Sequence, residues 1–288
     1  MFRRAAGAFA LTLAALVGAT PFAASAVPAD DRAYVSLGDS YTAAPLVPPQ
    51  APGPAQCARS GGNYPHLLAE HLGWTLTDVS CAGATTADLT AARAADVPAQ
   101  VAALNARTKL VTVGIGGNDH NLFASVIAGC GSRAPLLLTG STAPCRDAYA
   151  ARFATDIAAD APVVRAALQA IHRAAPNAGV LVVGYPSLLP RDAVGRAGCL
   201  LGGIPFTWGD MDFLDGVEQS LNAMLAAAAG VTGSEFVDTY TPSLGHDMCR
   251  LPGIRWIEPL FPLAPAAPVH PNAAGEAATA RAIASHLM

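Results

Sequence analysis

Residues 110–119 read LVTVGIGGND. The apolar run Leu110–Ile115 predicts a strand, and the glycines with Asn118 and Asp119 predict a tight loop directly after it. The same pattern recurs along the chain. Residues 179–184 (GVLVVG) are nearly all apolar, as in a strand covered on both faces. Shorter strands are predicted at 33–37, 75–80 and 235–237. Between them lie helical stretches at 64–72, 87–105 (interrupted by Pro98), 146–174, 212–229 and 272–286. In the fourth of these, Phe213, Leu214, Val217, Leu221, Met224 and Leu225 recur at helical spacing. Pro162 implies that 146–174 is kinked or is two helices. Alternating strands and helices predict an α/β domain on a five-stranded parallel sheet.

Composition bounds the rest. Of 288 residues, 52% are hydrophobic and 13% are charged, a balance that invites a membrane reading. Alanine accounts for 63 of them, however, and alanine buries little area. Only the N-terminus has an apolar run, Ala5–Ala19, and it is too short for a multi-span protein. Arg3 and Arg4 precede it, and Ala24-Ser25-Ala26 follows. This is the pattern of a secretory signal peptide over 1–26, leaving residues 27–288 as one domain that is expected to be exported. A net charge of −4 argues against nucleic acid as a partner. A monomer is expected.

Six cysteines stand at 57, 81, 130, 145, 199 and 249. Export favours disulfides, and no C-x-x-C motif suggests zinc. Six cysteines allow 15 pairings. Neighbour pairing closes the shortest loops and favours Cys57–Cys81, Cys130–Cys145 and Cys199–Cys249. Two irregular stretches, 43–57 with five prolines and 239–271, are each tied by a cysteine. Ordered loops of that length are often functional. The apolar 43–57 segment is a candidate wall for a ligand. Trp208 and Trp256 are expected to pack, with a substrate groove as their other reading.

Four short blocks could carry chemistry. Ser40, in Gly38-Asp39-Ser40-Tyr41, follows the first strand, at the sheet edge where α/β folds hold ligands. Taken alone, this tetrapeptide reads as helix-capping turn chemistry. Gly83 follows the second strand and can offer an unobstructed backbone N–H. Asn118 can donate its carboxamide to a developing oxyanion. His270, in Val269-His270-Pro271-Asn272, stands before the closing helix and is a candidate general base. Asp39 and Asp119 are expected to organise backbone hydrogen bonds. No metal-ligand cluster and no cofactor motif is found. G-x-G-x-x-G is not completed at 114–119, and no G-x-S-x-G occurs.

In this order and context the four blocks resemble the SGNH, or GDSL, hydrolases, and in particular their secreted bacterial lipases and esterases. The resemblance implies a three-layer α/β/α sandwich of flavodoxin-like topology and hydrolysis of small-molecule or lipid esters, with transient contact at a lipid interface. It implies Ser40 as nucleophile and His270 as base. The oxyanion would be held by the Ser40 N–H, the Gly83 N–H and the Asn118 side chain. One departure stands out: the family usually has Asp three residues before the histidine, and here that residue is Ala267. A backbone carbonyl, that of Ala267 or a neighbour, is expected to orient the imidazole. Glu258 or Asp247 folding back is the rival. The same fold also serves phospholipases and carbohydrate O-deacetylases, and a non-catalytic secreted binding protein is the reading from another class.

Overall fold

The computed structural model describes residues 32–132 and 142–288. The expected leader, 1–26, lies outside them. Among the described residues five strands form one parallel sheet: β1 (Ala33–Gly38), β2 (Thr75–Asp78), β3 (Leu110–Gly114), β4 (Gly179–Val183) and β5 (Glu235–Val237). Their order is β2-β1-β3-β4-β5. The connection reverses direction at β1, so a crevice opens between the carboxyl ends of β1 and β3, where α/β sheets bind ligands. Gly38 lies opposite Gly114 in the register, which brings the residues that follow the two strands to the same height.

Alternation along the strands builds two cores. Tyr34, Leu110, Leu181, Val183 and Val237 face α2 (Tyr64–Leu72) and α9 (Ala273–His286), packing with Leu68 and Ile283. Val35, Leu37, Val111, Val113, Val180 and Val182 join the other core, with Phe153, Leu168, Leu221 and Leu225. Those last four come from α5 (Pro144–Ala174) and α7 (Trp208–Thr232), which pack against each other. The result is the three-layer sandwich. The remaining helices are short: α1 (Ser40–Ala43), α3 (Thr86–Thr90), α4 (Leu122–Ala124), α6 (Ala193–Leu201) and α8 (Tyr240–Ser243).

Two expectations differ from what forms. The stretch 87–105 is not one interrupted helix but α3 and a 3₁₀ turn at Gln100–Ala103. The alanines between them have too little apolar area to hold a helix on the sheet. In contrast, α5 continues through Pro162 as one helix, which overturns the two-helix alternative. Its buried Phe153, Ile157, Val164, Leu168 and Ile171 anchor both halves.

The cysteines pair 57 with 81, 130 with 145 and 199 with 249. The last pair ties α6 to the irregular 239–271 stretch across 50 residues of chain. Closing a loop of that size restricts the unfolded chain and is worth up to about 4 kcal/mol. Replacing both Cys199 and Cys249 by Ser is therefore expected to lower the unfolding free energy by about 2–4 kcal/mol. Urea denaturation measures this, and an unchanged midpoint would show that the pair contributes nothing.

Candidate active site

Ser40 opens α1 directly beyond β1. The turn between them needs glycine: at Gly38 φ is 148°, and a Cβ there would lie 2.3 Å from Thr42 Oγ1 and 2.6 Å from the Gly114 carbonyl. Gln100 clamps the same residue, accepting the Gly38 N–H at 2.7 Å and donating to its carbonyl at 3.0 Å. Asp39 caps α1, its Oδ1 accepting the Tyr41 N–H at 2.9 Å. Its Oδ2 accepts the Tyr185 hydroxyl at 2.5 Å, and that hydroxyl in turn accepts the Gly117 N–H at 2.8 Å. Asp39 thus locks the serine turn to the loop after β3. Burial pushes its carboxyl up to about 7, although the Tyr185 and Tyr41 hydrogen bonds favour the charged form.

His270 Nε2 stands 2.7 Å from Ser40 Oγ. Nδ1 stands 2.7 Å from a carbonyl oxygen, which can only accept, so Nδ1 carries the proton and Nε2 of the neutral ring is free to accept the serine proton. The carbonyl is that of Pro268, which corrects the expectation of Ala267. The Ala267 oxygen is taken by the His270 backbone N–H at 3.2 Å, closing a tight turn. Within that turn Val269 has φ 61°, a conformation costly for a β-branched residue, and the Pro268 carbonyl is left facing the ring.

Val269 is held in place from two sides. Its N–H donates to the Glu258 carbonyl at 3.0 Å, and its own carbonyl accepts the Tyr41 hydroxyl at 2.7 Å. The Tyr41 ring packs against the imidazole with centroids 4.9 Å apart. Burial lowers the His270 pKa below the usual histidine value, although the Pro268 hydrogen bond works the other way.

Neither rival carboxylate reaches Nδ1. Glu258 is buried and fully engaged: Arg255 Nε and Asn272 Nδ2 donate to Oε1, while Arg255 Nη2 and the N–H groups of Leu263 and Ala264 donate to Oε2. Burial acts to raise its pKa, but these donors together hold it below the usual value. Asp247 accepts from the Cys249 N–H and Arg250 Nε. Both organise loops.

Asn118 donates Nδ2–H to the Ala84 carbonyl at 2.9 Å, which leaves its second N–H free. Asp119 accepts the Thr86 N–H at 2.8 Å and the Thr86 hydroxyl. Asn118 and Asp119 thus stitch the loop after β3 to the loop after β2, which carries Gly83 with a φ of 73°.

A cavity of about 190 Å³ opens beside Ser40, Asn118 and His270. Its apolar wall comes from Leu122, Phe123, Val126, Ile127, Leu188, Ile204, Phe206, the α7 side chains Leu214, Val217 and Leu221, and Met248. The proline-rich 43–57 segment does not line it, which corrects that expectation. Val47 packs instead with Ala44 and Ala266, and Leu46 is exposed. Trp208 and Trp256 are absent from the wall too; Trp256 stacks on His246 at 3.8 Å. Sequence reading assigned Tyr41, Tyr185 and Gln100 no role as fasteners of the site. Gln100 carried no signal, whereas Tyr185 sits at a strand end, the place to look.

A sheet of this order, with a serine–histidine pair at its switch point and an apolar cavity alongside, has the make-up of an acyl-ester hydrolase. Residues 36–278 match the GDSL-like lipase/acylhydrolase family. A lipase of Streptomyces coelicolor, Lipase 2, is 42% identical over 274 residues, covering 95% of this chain and 90% of that one. A lipase of Streptomyces rimosus is 32% identical, covering 88% and 87%. Among solved structures, phospholipase A1 of Streptomyces albidoflavus superposes with a TM-score of 0.71 at 26% identity, covering 88% of this chain and 98% of that one. The chain belongs to the GDSL-like lipase/acylhydrolase family, and it is a carboxylic ester hydrolase.

Two outcomes test the geometry. Removing the Tyr41 hydroxyl in Tyr41→Phe frees the Val269 carbonyl, and kcat is expected to fall about tenfold with little change in KM, as for a loss confined to positioning. For Asp39, the folded pKa is raised above its unfolded value. Its contribution to stability is therefore full below about pH 4 and lost as pH rises toward 7. Asp39→Asn is expected to flatten the stability–pH curve across that window, as read by denaturation at several pH values.

Proposed function

We propose that this hydrolase works through a Ser40–His270 dyad, with the Pro268 carbonyl in place of the triad acid. The observation that carries this reading is the chain of two 2.7 Å contacts from Pro268 O through the imidazole to Ser40 Oγ. Ser40 Oγ attacks the ester carbonyl carbon as its proton passes to Nε2. The tetrahedral oxyanion is met by the Ser40 and Gly83 N–H groups and by the free N–H of Asn118. On collapse, the imidazolium gives its proton to the departing alcohol oxygen. Water then repeats the sequence on the acyl-enzyme, and the carboxylic acid leaves.

The acyl chain occupies the cavity. A void of about 150 Å³ accepts benzene, so this one suits an acyl chain of about eight carbons. That favours esterase or lipase action over O-deacetylation. Phospholipase action is the second reading, favoured by the likeness to the Streptomyces albidoflavus enzyme. Leu46, Phe261 and Leu263 are exposed apolar side chains. Leu46 follows Pro45, whose carbonyl binds the Ala267 N–H, and Phe261 follows the cavity residue Leu260. They support transient contact with a lipid surface. The basic and apolar leader with its Ala24-Ser25-Ala26 site supports export as residues 27–288.

A p-nitrophenyl ester series is expected to peak near octanoate. Ser40→Ala should lose about 10⁶ in kcat, and Asn118→Ala about 10²–10³. An optimum at acetate would overturn the cavity assignment. Asp247→Asn and Glu258→Gln are expected to stay within about tenfold of wild type per folded molecule, against the 10⁴ that follows alteration of a true triad acid. The kcat/KM profile should rise with pH through a midpoint below the ordinary histidine value, because burial favours the neutral ring that acts as base.

A further inference from the structure

Among the described residues, and apart from Ser40, Tyr41, Asn118 and His270, the side chains lining the cavity are apolar with one exception, Glu218. It stands on α7 between Leu214, Val217 and Leu221, which line the same wall. It is only 5% exposed. Oε2 accepts the Leu188 N–H at 3.1 Å, whereas Oε1 is buried and has no hydrogen-bond partner among the described residues. Burial, reinforced by nearby Asp215, pushes this carboxyl well above the usual range and favours its neutral form, although the Leu188 bond works the other way.

A neutral acid whose Oε2 already accepts an N–H carries its proton on Oε1. A donor with no acceptor is therefore built into an otherwise oily wall. Holding Leu188 requires one oxygen, so a purely structural role leaves Oε1 unexplained, and a buried polar atom without a partner calls for an explanation.

We propose that Glu218 is a specificity-determining residue whose Oε1 donates a hydrogen bond to an oxygen carried along the substrate's acyl chain, so that esters of hydroxy- or oxo-substituted medium-chain acids are preferred over plain alkanoates. The proposal rests on the acyl chain occupying this cavity. A site built to hydrogen-bond a substrate oxygen discriminates against the analogue that lacks it, because its own polar group is then left unpaired.

The test compares p-nitrophenyl octanoate with the 4-, 5-, 6- and 7-oxooctanoate esters. In the wild-type enzyme one oxo isomer should exceed octanoate in kcat/KM by about tenfold or more. Glu218→Gln, which still presents a donor, should keep most of that preference. In Glu218→Leu the oxo-to-plain ratio should fall to within about twofold of unity while octanoate turnover rises, since the unpaired polar atom is gone. Glu218→Met replaces the Leu variant if that one does not fold. Equal rates for all five esters in the wild type would overturn the proposal and leave the esterase reading intact. So would a preference that survives in the Leu or Met variant. Failure to cleave octanoate at all would overturn both.

Discussion

The hydrogen bond from His270 Nδ1 to the Pro268 carbonyl is the contact on which the rest of the site depends. It fixes the tautomer, which alone leaves Nε2 able to accept from Ser40. A carbonyl cannot turn toward the ring as a carboxylate side chain can. Its direction is set by the backbone, so the backbone itself must be held. Here it is held in a left-handed valine, a conformation that persists only where its surroundings over-determine it. Tyr41 restrains that valine through its carbonyl and Glu258 through its N–H. Arg255 and Asn272 restrain Glu258 in turn. Three residues before the histidine stands Ala267, and what faces the imidazole Nδ1 is a network of fixed backbone.

Carboxylates are still abundant around the centre, but they bind main chain instead of imidazole. Asp39 caps the serine helix and reaches Gly117 through Tyr185. Asp119 joins the loops after β3 and β2 at Thr86. Glu258 gathers Leu263 and Ala264. Each converts a loop at the carboxyl edge of the sheet into a fixed support. That matters because hydrogen-bond donors to an oxyanion act only if they need not reorganise during the reaction.

The sheet and its helices were legible because their signals are local. The run 179–184 is apolar throughout, and residues 213–225 keep one helical face. The order of Ser40, Gly83, Asn118 and His270 behind successive elements was legible for the same reason. The identity of the orienting carbonyl was not. It depends on a left-handed residue that no propensity predicts, since valine is disfavoured there. The cavity wall was misassigned to 43–57 because apolar prolines look like a wall in sequence. Val47 is spent instead on a small separate cluster with Ala44 and Ala266. The true wall combines residues near 122–127, 188–206 and 214–221, a long-range assembly that no single stretch announces.

Two of the three disulfides belong to that assembly. Cys130 follows the 122–127 segment and is tied to Cys145 at the start of α5, and Cys249 follows Met248 and is tied to Cys199 in α6. Met248 and Leu188, both cavity residues, are linked by backbone, Met248 N–H to Leu188 O at 3.2 Å. Leu188 in turn gives its own N–H to Glu218. The outer wall is therefore fastened covalently at its ends and by hydrogen bonds to α7, one of the helices packed on the sheet. Such fastening is what an apolar cavity of this size requires: unsupported side chains would collapse into it, because empty space lined by apolar atoms forfeits dispersion contacts. The braces that keep the cavity open also fix Glu218 within its wall. A single polar group can select among acyl chains only if the wall around it does not yield.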